Sequence, residues 1–185
     1  MCPETIMPHA PIRIHIVGAS GSGTTTLGAA LGNQLGIAHL DTDDYFWLPT
    51  DPPFTEKRPI EERQRLLLAA MNRTQNWVVS GSMCGWGDFA VPLFTLVVFL
   101  WLPTEIRIAR IRQRERNRYG ADIEPGGRLN TQHESFLEWA ATYDTGNPPS
   151  RCLKLHEDFL AKLPCPVIRI ETDVSVKEKA RLVTG

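Results

Sequence analysis

Gly18 to Thr25 reads GASGSGTT: a glycine, four residues, a second glycine and two hydroxyl side chains. This is the GxxxxGK[ST] frame of a phosphate-binding loop with threonine at the lysine position. In such a loop successive backbone N–H groups point at one anion, and the start of the following helix adds about half a positive charge. Neither contribution requires a lysine. Gly18, Ala19, Ser20, Gly21, Ser22, Gly23, Thr24, Thr25 and Thr26 are therefore expected to hold phosphates, with the Thr25 hydroxyl where Mg²⁺ would bind. At Thr24 a neutral hydrogen bond replaces the charge that would bridge the β- and γ-phosphates, a difference of about 2 kcal/mol or more. Positive charge must come from elsewhere, or turnover is lost.

Asp41, Asp43 and Asp44 in HLDTDDYFW are the nearest acids. If the segment stays extended, Asp41 and Asp43 point the same way. One can hold the metal and the other can accept a proton from a substrate hydroxyl. Asp41 is the expected metal ligand, and Asp43 the catalytic and acceptor-binding acid. Asp44, Tyr45 and Gly81 are further acceptor-side candidates, with Phe46 and Trp47 beside Tyr45 as a candidate wall of the acceptor pocket. As plain structure, the acids would be solvated loop groups capping the next helix, a reading that suits Asp44 better than Asp43, and the aromatics would be core.

From Arg107 to Arg118, RIARIRQRERNR holds six arginines and one acid. On a helix Arg107, Arg110, Arg114 and Arg118 share one face, a strip whose natural partner is anionic. The early arginines suit stacking on a base. Arg114, Arg116 or Arg118 suit closure on the phosphates, with Arg128 as another candidate beyond a Gly-Gly hinge. A basic surface helix or an RNA-binding patch is the plainer alternative. His39, Cys84 and His133 have no partners at catalytic spacing.

These groups need a scaffold, and strand and helix signals alternate along the chain. Apolar runs at Ile12–Val17, Ile37–Asp41, Trp77–Gly81, Leu93–Leu102 and Pro166–Ile170 read as strands. Helical periodicity marks 25–35, 60–71, a stretch from about 103, 132–143 and 151–163, with a proline-rich connection over Leu48–Pro59. Short apolar strands separated by helices predict a parallel sheet covered on both faces. At 185 residues, 42% hydrophobic and net charge −1, the chain suits a single domain and shows no bulk attraction to nucleic acid or membranes. Leu93–Leu102 is too short for the roughly 20 residues of a spanning helix. Four cysteines without paired spacing, and no leader pattern, predict a cytoplasmic protein with reduced thiols.

The order of loop, acids and basic helix resembles the small P-loop kinases: shikimate kinase, gluconate kinase and the adenylate kinase group. LDTD (Leu40–Asp43) is similar to the strand-two DxD of shikimate kinase, and Arg110 and Arg118 fall near that family's base-stacking and lid arginines. The resemblance covers most of the chain in element order and only short stretches in identity. It implies a three-layer α/β fold over residues 1–185, with a five-stranded parallel sheet of order 2-3-1-4-5 and a lid around 114–131. It also implies ATP with Mg²⁺ and phosphoryl transfer to a small acceptor such as a hydroxyl-bearing acid, sugar or nucleotide. Two departures are the missing lysine, which bears on catalysis, and the split glycines of SGSMCGWGD, which argue against shikimate itself. A nucleotide-binding regulatory module with little turnover is the alternative from a different class.

Overall fold

The structure, a computed structural model, describes residues 10–185. Strands β1 (Arg13–Gly18), β2 (Ala38–Asp41), β3 (Trp77–Ser80), β4 (Leu96–Leu100) and β5 (Val167–Ile170) form one parallel sheet in the order β2-β3-β1-β4-β5. The inner strands are apolar on both faces, as a sheet covered on both sides requires. Their alternation divides the core in two. Val17, Trp77, Val79, Val97 and Phe99 pack with Leu67 and Met71 of α3 (Ile60–Met71) and Leu160 of α6 (Leu153–Leu160). Ile14, Ile16, Val78, Val98 and Leu100 pack with Leu27 and Leu31 of α1 (Thr24–Leu35) and Ala180 of α7 (Val176–Thr184). The expected sheet order and two-sided helical cover are therefore both present.

Some boundaries differ from expectation. The apolar run at Leu93–Leu102 yields a strand only over Leu96–Leu100, because a 3₁₀ helix containing Pro92 occupies Asp88–Leu93. Helix α2 (Thr42–Phe46) starts directly at the end of β2, so Asp41 and Asp43 do not lie on one extended strand. Helix α4 (Thr104–Tyr119) carries the arginines and α5 (Asn130–Ala141) follows a glycine-rich turn. Cys84, Cys152 and Cys165 are free thiols. No helix among the described residues is long and apolar enough to cross a membrane.

Two histidines sit deep in the fold. His15 on β1 stacks on Phe94 at 4.9 Å, and His156 on α6 lies between Ser82 Oγ at 3.0 Å and Tyr143 Oη at 2.7 Å. Burial lowers His15 from 6.5 to about 4 and His156 from 6.5 to about 3. Below pH 6.5 the unfolded chain therefore takes up protons that the folded chain refuses, so stability falls as pH drops toward 4. Each histidine contributes about 1.4 kcal/mol per pH unit across that window. The melting temperature is expected to fall steadily from pH 6.5 to 4.5, and His156→Gln, which keeps hydrogen-bonding groups without the titration, should flatten the slope. Equal slopes in melts of the two proteins would contradict this.

Candidate active site

All the chemistry-bearing segments meet at the carboxyl ends of the strands, where ligands of open parallel sheets gather. After β1 the chain makes a glycine turn that closes on itself, with Ser22 N–H donating to the Ala19 carbonyl at 3.1 Å and the Ser22 hydroxyl to the same oxygen at 2.8 Å. Gly21 has φ +82° and Gly23 φ +97°, conformations that favour glycine. A Cβ on Gly18 would overlap the Leu100 carbonyl of β4, and one on Gly21 the Arg107 backbone of α4. Helix α1 starts at Thr24 with no side-chain cap, so the N–H groups of Thr24, Thr25 and Thr26 open its first turn toward the cleft. Ser22 is the exception among the expected loop ligands. It is fully buried, and both its N–H and its hydroxyl are spent on the loop itself.

The acids approach from β2. Asp41 Oδ1 accepts from the Asp43 N–H at 3.0 Å and so caps α2, while Asp41, Asp43 and Asp44 all line the cleft. Burial, and then the Asp41 charge, push the Asp43 and Asp44 carboxyls above their ordinary range. Of the three aromatics, Phe46 and Trp47 line the cleft, and Tyr45 packs against the core. Successive helical residues are turned by about 100°, so three adjacent aromatics cannot share a face. Phe46, Trp47, Phe54 and Trp86 make a continuous wall, with ring centroids 4.9 to 6.2 Å apart from one ring to the next. Gly81, with φ +104°, lets the end of β3 lie against Thr42.

The arginine strip divides. Arg107 is fully buried and donates to the Leu102 and Ala140 carbonyls, to Thr104 Oγ1 and to Asp144 Oδ2, so it braces α4 and does not face a ligand. Arg110, Arg114 and Arg118 do line the cleft. Arg110 reaches Asp173 and lies beside Gly23; Arg114 pairs with Glu115 at 3.0 Å; Arg118 lies 5.8 Å from the Phe54 ring. Arg116 pairs with Glu124, and Arg128 with Asp51 and Asp122, both outside the cleft lining. In the expected lid, α4 runs on to Tyr119 and gives way to a 3₁₀ turn at Gly120–Ile123. Arg128 and the Gln132 to Pro53 hydrogen bond of 2.9 Å hold this region against the Leu48–Pro59 connection. The cleft encloses about 1240 Å³. That exceeds the roughly 300–1,000 Å³ of a single small-ligand pocket.

A family model described as "AAA domain" matches residues 14–132, and an uncharacterized protein, YqaC of Bacillus subtilis (strain 168), is 50% identical over 166 residues, covering 90% of this chain and 92% of that one. The chain belongs to the AAA-domain family. Its fold is that of the P-loop small-molecule kinases. Shikimate kinase from Acinetobacter baumannii, solved with shikimate, superposes with a TM-score of 0.54 at 20% identity over 94% of this chain and 90% of that one. Deoxyadenosine kinase from M. mycoides with bound dATP gives 0.54 at 15% identity over 93% and 97%.

In this AAA-domain chain the cleft also holds a basic residue that motif spacing does not single out. Arg151, between α5 and α6, donates from Nη2 to Ser20 Oγ at 2.6 Å and lies 4.7 Å from the Trp139 ring centroid. Its contact with the loop spans 131 positions. Helical periodicity and motif spacing do not reach that far. Cys84 and His133 also line the cleft, and His39 Nε2 lies 2.8 Å from Ser80 Oγ behind α1.

Proposed function

We propose that the chain is an ATP-dependent kinase that phosphorylates a hydroxyl on a small acceptor. The observation that carries this reading is one cleft lined both by the glycine loop, an anion cradle, and by Asp43, a carboxyl of raised proton affinity. The loop amides from Gly18 to Thr26 would take the triphosphate, with Arg110 beside the base. Thr25 and Asp41 are hard oxygen donors on the cleft wall and suit Mg²⁺, which commonly takes one or two protein oxygens and completes its shell with phosphate and water. When bound, the metal neutralises charge on the phosphates. Asp43 would accept the acceptor's hydroxyl proton as that oxygen joins the γ-phosphorus and the bond to the β–γ bridging oxygen breaks, releasing ADP. Arg114 and Arg118 would bear on the transferring group.

The wall of Phe46, Trp47, Phe54 and Trp86 favours an acceptor with a flat ring, such as a nucleoside or nucleotide, over an open-chain polyol. The test is ATP consumption across a panel of nucleosides, nucleotides, sugars and hydroxy acids, read by ³¹P NMR. Acceleration by at least tenfold with a ring-bearing acceptor is expected. Nucleotide binding without acceleration by any acceptor would favour the regulatory module, for which the neutral Thr24 is the supporting observation.

The metal assignment gives a separate expectation. Thr25→Val, which keeps the shape and removes the hydroxyl, should weaken MgATP binding by about tenfold and leave metal-free ADP binding within about threefold, since one charge-assisted contact is worth roughly 1.5 kcal/mol. Calorimetric titrations with and without Mg²⁺ check it.

A further inference from the structure

We infer that Arg151 supplies, from the segment between α5 and α6, the positive charge that the phosphate loop lacks at Thr24. The inference rests on the kinase reading and adds the catalytic residue for which the loop's own sequence has no candidate.

Three observations converge on this side chain. First, its Nη2 is hydrogen-bonded at 2.6 Å to Ser20, a loop residue on the cleft wall. Second, its guanidinium lies 4.7 Å from the Trp139 ring centroid, which fixes the plane of the fork before any ligand arrives. Third, it has no carboxylate within ion-pair distance among the described residues, while Arg110 and Arg114 are paired with Asp173 and Glu115. Arg118 is also unpaired, but its contacts are with the Phe54 and Tyr119 rings. Lys57 and Lys179 line the cleft without a hydrogen bond to the loop. A guanidinium held only by a neutral hydroxyl and a ring, in a cleft built for anions, retains donors for a phosphoryl group.

The position also suits the step. Arg151 is bonded to Ser20 of the loop, and it lines the same cleft as Asp43, the acid that would take the acceptor proton. As the bond from phosphorus to the β–γ bridging oxygen breaks and the new bond to the acceptor oxygen forms, the five guanidinium N–H groups can follow charge on the transferred oxygens.

The test uses the full chain and the variants Arg151→Ala, Arg151→Lys and the double variant Arg151→Ala with Thr24→Lys, each checked for folding by its thermal melt. MgATP and MgADP affinities are measured by calorimetry, and ATP hydrolysis is followed without acceptor. Arg151→Ala is expected to weaken MgATP by at least tenfold and MgADP by less than about threefold. Hydrolysis should fall by about 100-fold, and Arg151→Lys should fall between the variant and wild type. Adding Thr24→Lys should restore at least tenfold of the loss, a rescue that a merely structural arginine would not give. Equal losses for MgATP and MgADP, or no rescue by the loop lysine, would overturn the assignment of Arg151 and leave the kinase reading in place. Absence of any nucleotide binding by the wild-type protein would overturn the kinase reading itself.

Discussion

Arg107→Ala is expected to destabilise the fold by about 3 kcal/mol or more, because removing one partner of a buried ion pair leaves the others unsatisfied. The side chain is fully buried, and its loss strips donors from the Leu102 and Ala140 carbonyls and from Asp144. For a chain of this length that corresponds to a fall in melting temperature of about 10 °C. The damage should also reach the ligand site, since the Arg107 backbone lies against Gly21 and fixes one side of the phosphate loop. Arg107→Lys should recover only part of the loss, because an ammonium cannot reproduce the planar fork that meets four acceptors. Urea unfolding checks this, and a change below about 1 kcal/mol would show that the bracket is not structural.

Asp43→Asn should have the larger effect on chemistry and a small one on binding. Removing a positioned general base lowers rates by about 10² to 10⁴-fold. Asp43 lies at the start of α2, and asparagine keeps its volume and helix-starting tendency, so the melt should hardly change. Nucleotide affinity should stay within about threefold. Since burial and Asp41 raise the proton affinity of Asp43, acceptor-dependent turnover should rise with pH above the ordinary carboxylate range, as the carboxyl ionises. The Asn variant should lose that limb. A pH profile of turnover for both proteins distinguishes a base from a residue that only shapes the cleft.

The legible part of this protein is the part governed by local periodicity. Apolar runs such as Trp77–Ser80, buried along their whole length, could hardly be anything but inner strands, and the glycine frame after β1 sits in the strand-to-helix context that its backbone chemistry needs. Spacing also placed Arg107, Arg110, Arg114 and Arg118 on one face of α4, yet spacing alone does not say how a face is shared between core and cleft. Arg107 is taken by the junction with β4 and the other three by the cleft. Tyr45, Phe46 and Trp47 divide between core and cleft, because adjacency in sequence is not adjacency on a helix. Asp41 and Asp43 reached the same cleft by a different route, a helix start in place of an extended strand. Arg151 was invisible because its partners Ser20 and Trp139 come from other elements, and only the closed fold brings them together.

Titration of the wild-type chain with MgATP in a calorimeter shows whether a phosphate loop without a lysine still holds a triphosphate. One-site binding with a dissociation constant in the micromolar range, abolished by Gly18→Ala because its Cβ would overlap the Leu100 carbonyl, is expected. No heat of binding at millimolar MgATP, or equal binding by the Gly18→Ala protein, would contradict it.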